Sequence, residues 1–114
     1  MRRLLCILWA LSFSNAGAEE PRNLRKIVYD YAVTSYCGTL TPEVEFGFQH
    51  ELAEATARAG LAAEEAKALR IRGWVDADLE WSNRGLGGFR AWCASEGVAA
   101  AEHFKAQARA ARPR

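Results

Sequence analysis

Three of the four tryptophans and four of the nine glycines of this 114-residue chain fall between Gly73 and Cys93, in the run GWVDADLEWSNRGLGGFRAWC. No other stretch constrains the fold as much. Indole rings are large apolar bodies that favour burial. Glycines permit turns and close backbone approach. The terminal cysteine can tie the stretch to a distant part of the chain. Packing is therefore expected to centre here.

The N-terminus bears on that cysteine. It reads MRRLLCILWALSFSNAGAEE, with Arg2 and Arg3 ahead of an apolar run from Leu4 to Phe13 and small residues at Ala16-Gly17-Ala18. This is the layout of a cleaved secretory signal, with the cut expected after Ala18. The apolar run is well short of the roughly 20 residues that a membrane-spanning helix needs. No stable membrane anchor is expected after cleavage, and the destination is periplasmic or extracellular. Cys6, inside the apolar run, lacks the small residues that precede a lipidated cysteine.

Cleavage leaves residues 19–114 as one small domain of 96 residues with a fraying tail at about 110–114, and a core that is marginal at this size. Arg2 and Arg3 depart with the signal, so 13 basic residues face 14 acidic ones. That balance removes the field needed to attract nucleic acid. Cys37 and Cys93 remain, and in an oxidising compartment an even pair reads as a disulfide. Closing a loop of about 57 residues stabilises by roughly 4 kcal/mol in the chain-entropy description.

The pattern is helical throughout. Leu24, Ile27, Val28, Tyr31 and Ser35 form one stripe behind Asn23 as N-cap, and Cys37-Gly38 closes the helix. Thr41-Pro42-Glu43 opens a second helix, with Val44, Phe48, Leu52, Ala55 and Ala59 on one face and Gly60 at its end. Phe46 falls off that stripe. A third helix runs from Leu61 to about Asn83, with Gly73 marking a close approach or a bend. Ile71, Trp74, Ala77 and Trp81 share one side of it, and Ala68, Val75, Leu79 and Leu86 a second edge. A helix apolar on two sides is expected to lie centrally. Ser82 to Gly88 reads as a turn, after which a last helix either runs on to about Arg109 or breaks near Ser95-Glu96-Gly97. The expected fold is all-α, a small four-helix bundle (five helices if the last is broken) with one disulfide.

No catalytic constellation is present, so no enzymatic activity, cofactor or metal is expected. His50-Glu51 opens like a zincin motif, but position 54 is Glu54, and a zinc site from His50, Glu54 and His103 would need a coincidence of folding. Gly85, Gly87 and Gly88 do not have phosphate-loop spacing, and there is no CxxCH run. Arg72, Asp76, Glu80 and Arg84 step along one helix side as a solvated charge ladder or a docking face. Asp78 falls beside Ile71, Trp74 and Trp81, where a carboxylate needs a partner such as Arg84, Arg90 or a tyrosine of the first helix.

Trp74, Asp78, Trp81, Arg84 and Trp92 thus form the candidate ligand or partner surface, although core packing is the simpler use of the tryptophans. In length, cysteine number and helix class the chain resembles small exported bacterial helical proteins with one long-range disulfide, among them the periplasmic acid-stress chaperones. That resemblance implies a disulfide-held module that loosens at low pH and exposes aromatics to clients. The expected function is a non-enzymatic module that binds another protein, as an inhibitor, immunity-type factor or chaperone does. The alternative is a carrier of a small apolar ligand in a tryptophan-lined pocket.

Overall fold

The computed structural model describes residues 22–113, so the signal reading, Cys6 and Trp9 lie outside the described residues. Helix α1 spans Leu24–Tyr36, α2 spans Pro42–Ala59 and α3 spans Ala63–Asn83. Helix α4 (Gly85–Trp92), a π-helical turn (Cys93–Gly97) and α5 (Val98–Ala111) join through helical backbone angles at Trp92, Cys93, Gly97 and Val98, and make a fourth rod. The fold is an all-α bundle of four helical rods with one disulfide, Cys37–Cys93.

Local chemistry sets the helix ends. The Asn23 side chain accepts the Lys26 backbone N–H at 2.9 Å, and Thr41 Oγ1 accepts the Val44 N–H at 3.2 Å, each filling one of the open donors of a first turn. Glu43 and Glu45 follow Pro42 in the first turn of α2, where the helix dipole favours negative charge. Gly38 and Gly60 end α1 and α2 with φ of 69° and 60°, a region open to glycine at little expense. The expected turn at 82–88 is shorter than its composition suggests. Helical structure resumes at Gly85, and the glycines there serve a sharp redirection at φ of 65° (Gly85) and 82° (Gly87). The expected break near Ser95 is the π turn, in which the Val98 N–H reaches back to the Cys93 carbonyl.

Helix α1 is central. Helix α3 packs along one side of it, and α2 and α5 pack on each other and on the opposite side. Leu24, Ile27, Val28, Ala32, Val33 and Thr34 are all buried, so α1 is covered from more than one side. The core joins Leu24, Ile27 and Val28 to Val44, Phe48 and Ala55 of α2 and to Ala101 and Phe104 of α5. Tyr31 stacks on Phe48 with centroids 3.9 Å apart, and Phe48 meets Phe104 edge-on at 5.7 Å.

Two expectations are corrected here. Helix α3 is peripheral rather than central, and the tryptophans do not form the core as a group. Trp92 is buried at 2% exposure, Trp81 is half-buried and Trp74 is 42% exposed. The reason is a line of small residues. Ala66, Gly73 and Ala77 face inward, and a methyl group added at Gly73 would stand 2.5 Å from the Arg25 carbonyl oxygen and 2.9 Å from Val28 Cβ. The α1 backbone occupies the space that a larger side chain would need. The bulky side chains of α3 are left at its edges and on its outer face.

Candidate functional site

The outer face of α3 carries several large apolar side chains in water. Ile71 is 52% exposed, Val75 47% and Leu79 54%. Trp74 borders them, its ring edge-on to Tyr31 at 6.0 Å. At 100° per residue, Ile71, Val75 and Leu79 fall opposite Ala66, Gly73 and Ala77, while Asp78 and Trp74 lie on the flank, toward Tyr36 and Tyr31 of α1. A monomeric bundle ordinarily turns the larger apolar residues inward. In α3 the inward and outward sizes are reversed.

At one end of α3 the aromatic residues gather around the disulfide. Trp81 stacks on Tyr36 of α1 at 5.2 Å, tilts against Phe89 at 5.2 Å and lies 6.2 Å from Trp92. The Tyr36 hydroxyl donates to Asp78 at 3.1 Å, so the carboxylate singled out in the sequence finds a tyrosine of the first helix while remaining exposed. The Arg84 guanidinium lies 5.2 Å above the Trp92 ring and donates to Glu80 at 2.7 Å. Gly97 seats the bridge, since a Cβ there would come within 2.9 Å of Cys37 Sγ. Trp92 therefore belongs to the interior and leaves the candidate partner surface. Its indole N–H lies near the Tyr29 hydroxyl and draws that phenol's pKa down. It does not reach hydrogen-bond geometry, and among the described residues it has no partner. Burial, followed by the Glu96 charge, outweighs that pull, and the Tyr29 phenol is raised to about 12.

On the other side of α1 lies a charged cluster that the sequence reading missed. Arg22 forks onto Glu51, with Nη2 2.6 Å from Oε1, and also donates to Asp30. Lys26 Nζ donates to Asp30 at 3.0 Å, and the His103 ring nitrogen meets Glu51 at 2.8 Å. Burial alone would raise the Glu51 carboxyl. Hydrogen bonds from His103 and Arg22, with their charges, hold it below the usual carboxylate range instead. Asp30 and Glu51 are both buried, so α1, α2 and α5 are pinned together by paired charge. One clue was present: Glu51 falls seven residues after Val44 and four before Ala55, on the apolar stripe of α2.

The histidines are divided, since His50 pairs with Glu54 at 3.3 Å while His103 pairs with Glu51. Among the described residues no group of three or more histidine, cysteine or acidic side chains is placed to hold a metal ion. The ladder on α3 also divides. Asp76 leaves it to take a two-pronged ion pair from Arg25 of α1 at 2.5 and 2.9 Å, while Glu80 pairs with Arg84, the residue that caps α3.

Two open depressions lie away from the tryptophans. One of about 620 Å³ between α1 and α3 is walled by Arg25, Lys26, Tyr29, Asp76, Glu80 and Glu96 among others. Another of about 780 Å³ is bordered by Thr41, Glu43, Phe46, Lys105 and Arg112. No described helix is long and apolar enough to cross a membrane. Comparison with protein families, curated proteins and solved structures finds no match to this chain.

Proposed function

We propose that this chain is an exported, non-enzymatic module that binds another protein through the outer face of α3. The observation that carries the reading is the reversal of sizes on that helix. Small residues are spent on the contact with α1, and Ile71, Trp74, Val75 and Leu79 are presented outward. Exposed tryptophan beside aliphatic side chains, with charges at the rim, is the composition of a protein-binding patch. The N-terminal apolar run and the long-range disulfide support export. The depression between α1 and α3 is walled largely by charged groups, and the tryptophans line none of the depressions described, which favours a protein partner over an apolar ligand held in a tryptophan-lined pocket.

A photo-cross-linking amino acid placed at Val75, compared with the same group at the exposed Ala106 of α5, tests the reading in the compartment to which the protein is delivered. Adducts of defined mass at position 75, absent at 106, are the expected result. Identical patterns at both positions, or none at either, would remove α3 as the binding face.

A further inference from the structure

We propose that the partner of the α3 face is a second copy of this chain, packed antiparallel about a two-fold axis between Ile71 and Trp74. The inference rests on the reading of α3 as a protein-binding face. It comes from the order of side chains along the edge of that face that carries Ile71 and Trp74. Glu64, Lys67, Ile71, Trp74 and Asp78 follow at alternating three- and four-residue steps, the spacing of a seam between two helices. The seam is apolar in the middle, with a lysine before it and an aspartate after it.

Turning one helix end for end about the midpoint of Ile71 and Trp74 sets Ile71 of one copy against Trp74 of the other. The same operation sets Lys67 against Asp78, twice, because a two-fold contact repeats every pair. At the usual interaxial distance of about 8–10 Å these side chains are within reach of one another. Two other arrangements are opposed by charge. A parallel pair places Lys67 beside Lys67 and Asp78 beside Asp78. An antiparallel pair slipped so that Ile71 meets Ile71 sets Glu64 against Asp78. Lys67 and Asp78 are both exposed. Asp78 uses Oδ1 for the Tyr36 hydroxyl, and its Oδ2 has no partner among the described residues.

The patch is small beside the ~800 Å² per partner of a standard interface, so the dimer is a weak one, with Kd on the order of 10 µM. Sedimentation velocity over a concentration series spanning that value is the test. It uses the protein expressed with its own N-terminal segment encoded, and the product's mass is recorded. Wild type is expected to pass from monomer to dimer. Lys67→Glu and Asp78→Lys alone should each weaken association roughly tenfold, by converting two attractions into two repulsions. Together they should restore it, and Ile71→Glu should abolish it. Tyr36→Phe, which removes the Asp78 hydrogen bond without altering charge, should leave the dimer in place. Far-UV circular dichroism checks that each variant keeps its helices. Association through the N-terminal apolar run would be blind to the reversals at 67 and 78.

A monomer across the whole range overturns the proposal, as does a dimer unmoved by Ile71→Glu or a double reversal that fails to restore association. If wild type stays monomeric while position 75 still cross-links to a different protein, the second copy is refuted and the protein-binding reading survives. If neither occurs, both fall.

Discussion

Helices α2 and α3 both approach a neighbour through glycine, and the two contacts have opposite outcomes. In α2, Gly47 lies so close to α5 that an added Cβ would meet the Phe104 carbonyl oxygen at 1.8 Å. The residues beside it, Val44 and Phe48, still point inward and fill the core. In α3, Gly73 admits the α1 backbone, and of the large residues near it only Leu69 packs against the core, while Ile71, Trp74 and Val75 stay exposed. The first contact is close and also well filled. The second is close and narrow, resting on Ala66, Gly73 and Ala77. Close backbone approach alone therefore does not make a core. What matters is whether bulky side chains flank the contact on the inner side. The α2–α5 side fills the core, and α3 leaves much of its apolar surface exposed.

The largest expected effect concerns what holds the two sides together. Replacing Cys37 and Cys93 by serine should remove about 4 kcal/mol of stability, read from the urea midpoint. A domain of this size has only about 5–10 kcal/mol in total. Gly47→Ala should follow at about 3 kcal/mol, because backbone rather than a flexible side chain stands in the way. Gly73→Ala meets backbone at 2.5 Å but gains nearly 1 kcal/mol of helix propensity, so a net loss of about 1 kcal/mol is expected. Equal losses at the two glycines would erase the contrast between the helices.

Between those two in size lies Glu51→Ala, at about 2 kcal/mol. It leaves Arg22 and His103 without their carboxylate, although both retain some access to water that softens the loss. The same group gives the pH dependence. The folded Glu51 pKa lies below its ordinary value, so its contribution is present above about pH 4.3 and is lost as pH falls through the lowered folded value. Acid should therefore loosen the α2–α5 side, as urea midpoints at successive pH values would reveal, and Glu51→Gln should flatten that dependence. Tyr31, raised to about 12 first by its hydrogen bond to Glu45 and then by burial, acts at the other extreme. Its contribution is full below about pH 10 and is lost as pH rises toward 12.

The smallest effect sharpens the comparison from the other side. Leu79→Gln should change stability by less than about 0.5 kcal/mol, since the side chain is already more than half in water. A loss of about 2 kcal/mol or more in the same denaturation experiment would mean that the outer face of α3 contributes to the fold itself.

Much of the helical framework was readable from residue types whose action is local. Asn23, the Thr41-Pro42-Glu43 run, Gly38 and Gly60 mark helix ends by hydrogen bonding and backbone angle within a few residues, and the structure places them there. The Arg22–Asp30–Glu51–His103 cluster was not readable, because its members are scattered along the chain and ordinary in composition. Only the docking of α1, α2 and α5 makes them neighbours.

The stretch from Gly73 to Cys93 shows the division most plainly. By itself the sequence determined the helices, the break around Arg84 and the pairing of its last residue with Cys37, since periodicity, turn chemistry and cysteine number act without reference to distant packing. It also placed Ile71, Trp74, Ala77 and Trp81 on one side of a helix, because the helical repeat sets angles. Only the tertiary structure decided which part of that side meets α1. The answer turned on Gly73 and Ala77 admitting a backbone where indoles could not fit. That choice buried Trp92, half-covered Trp81 and left Trp74 at the surface.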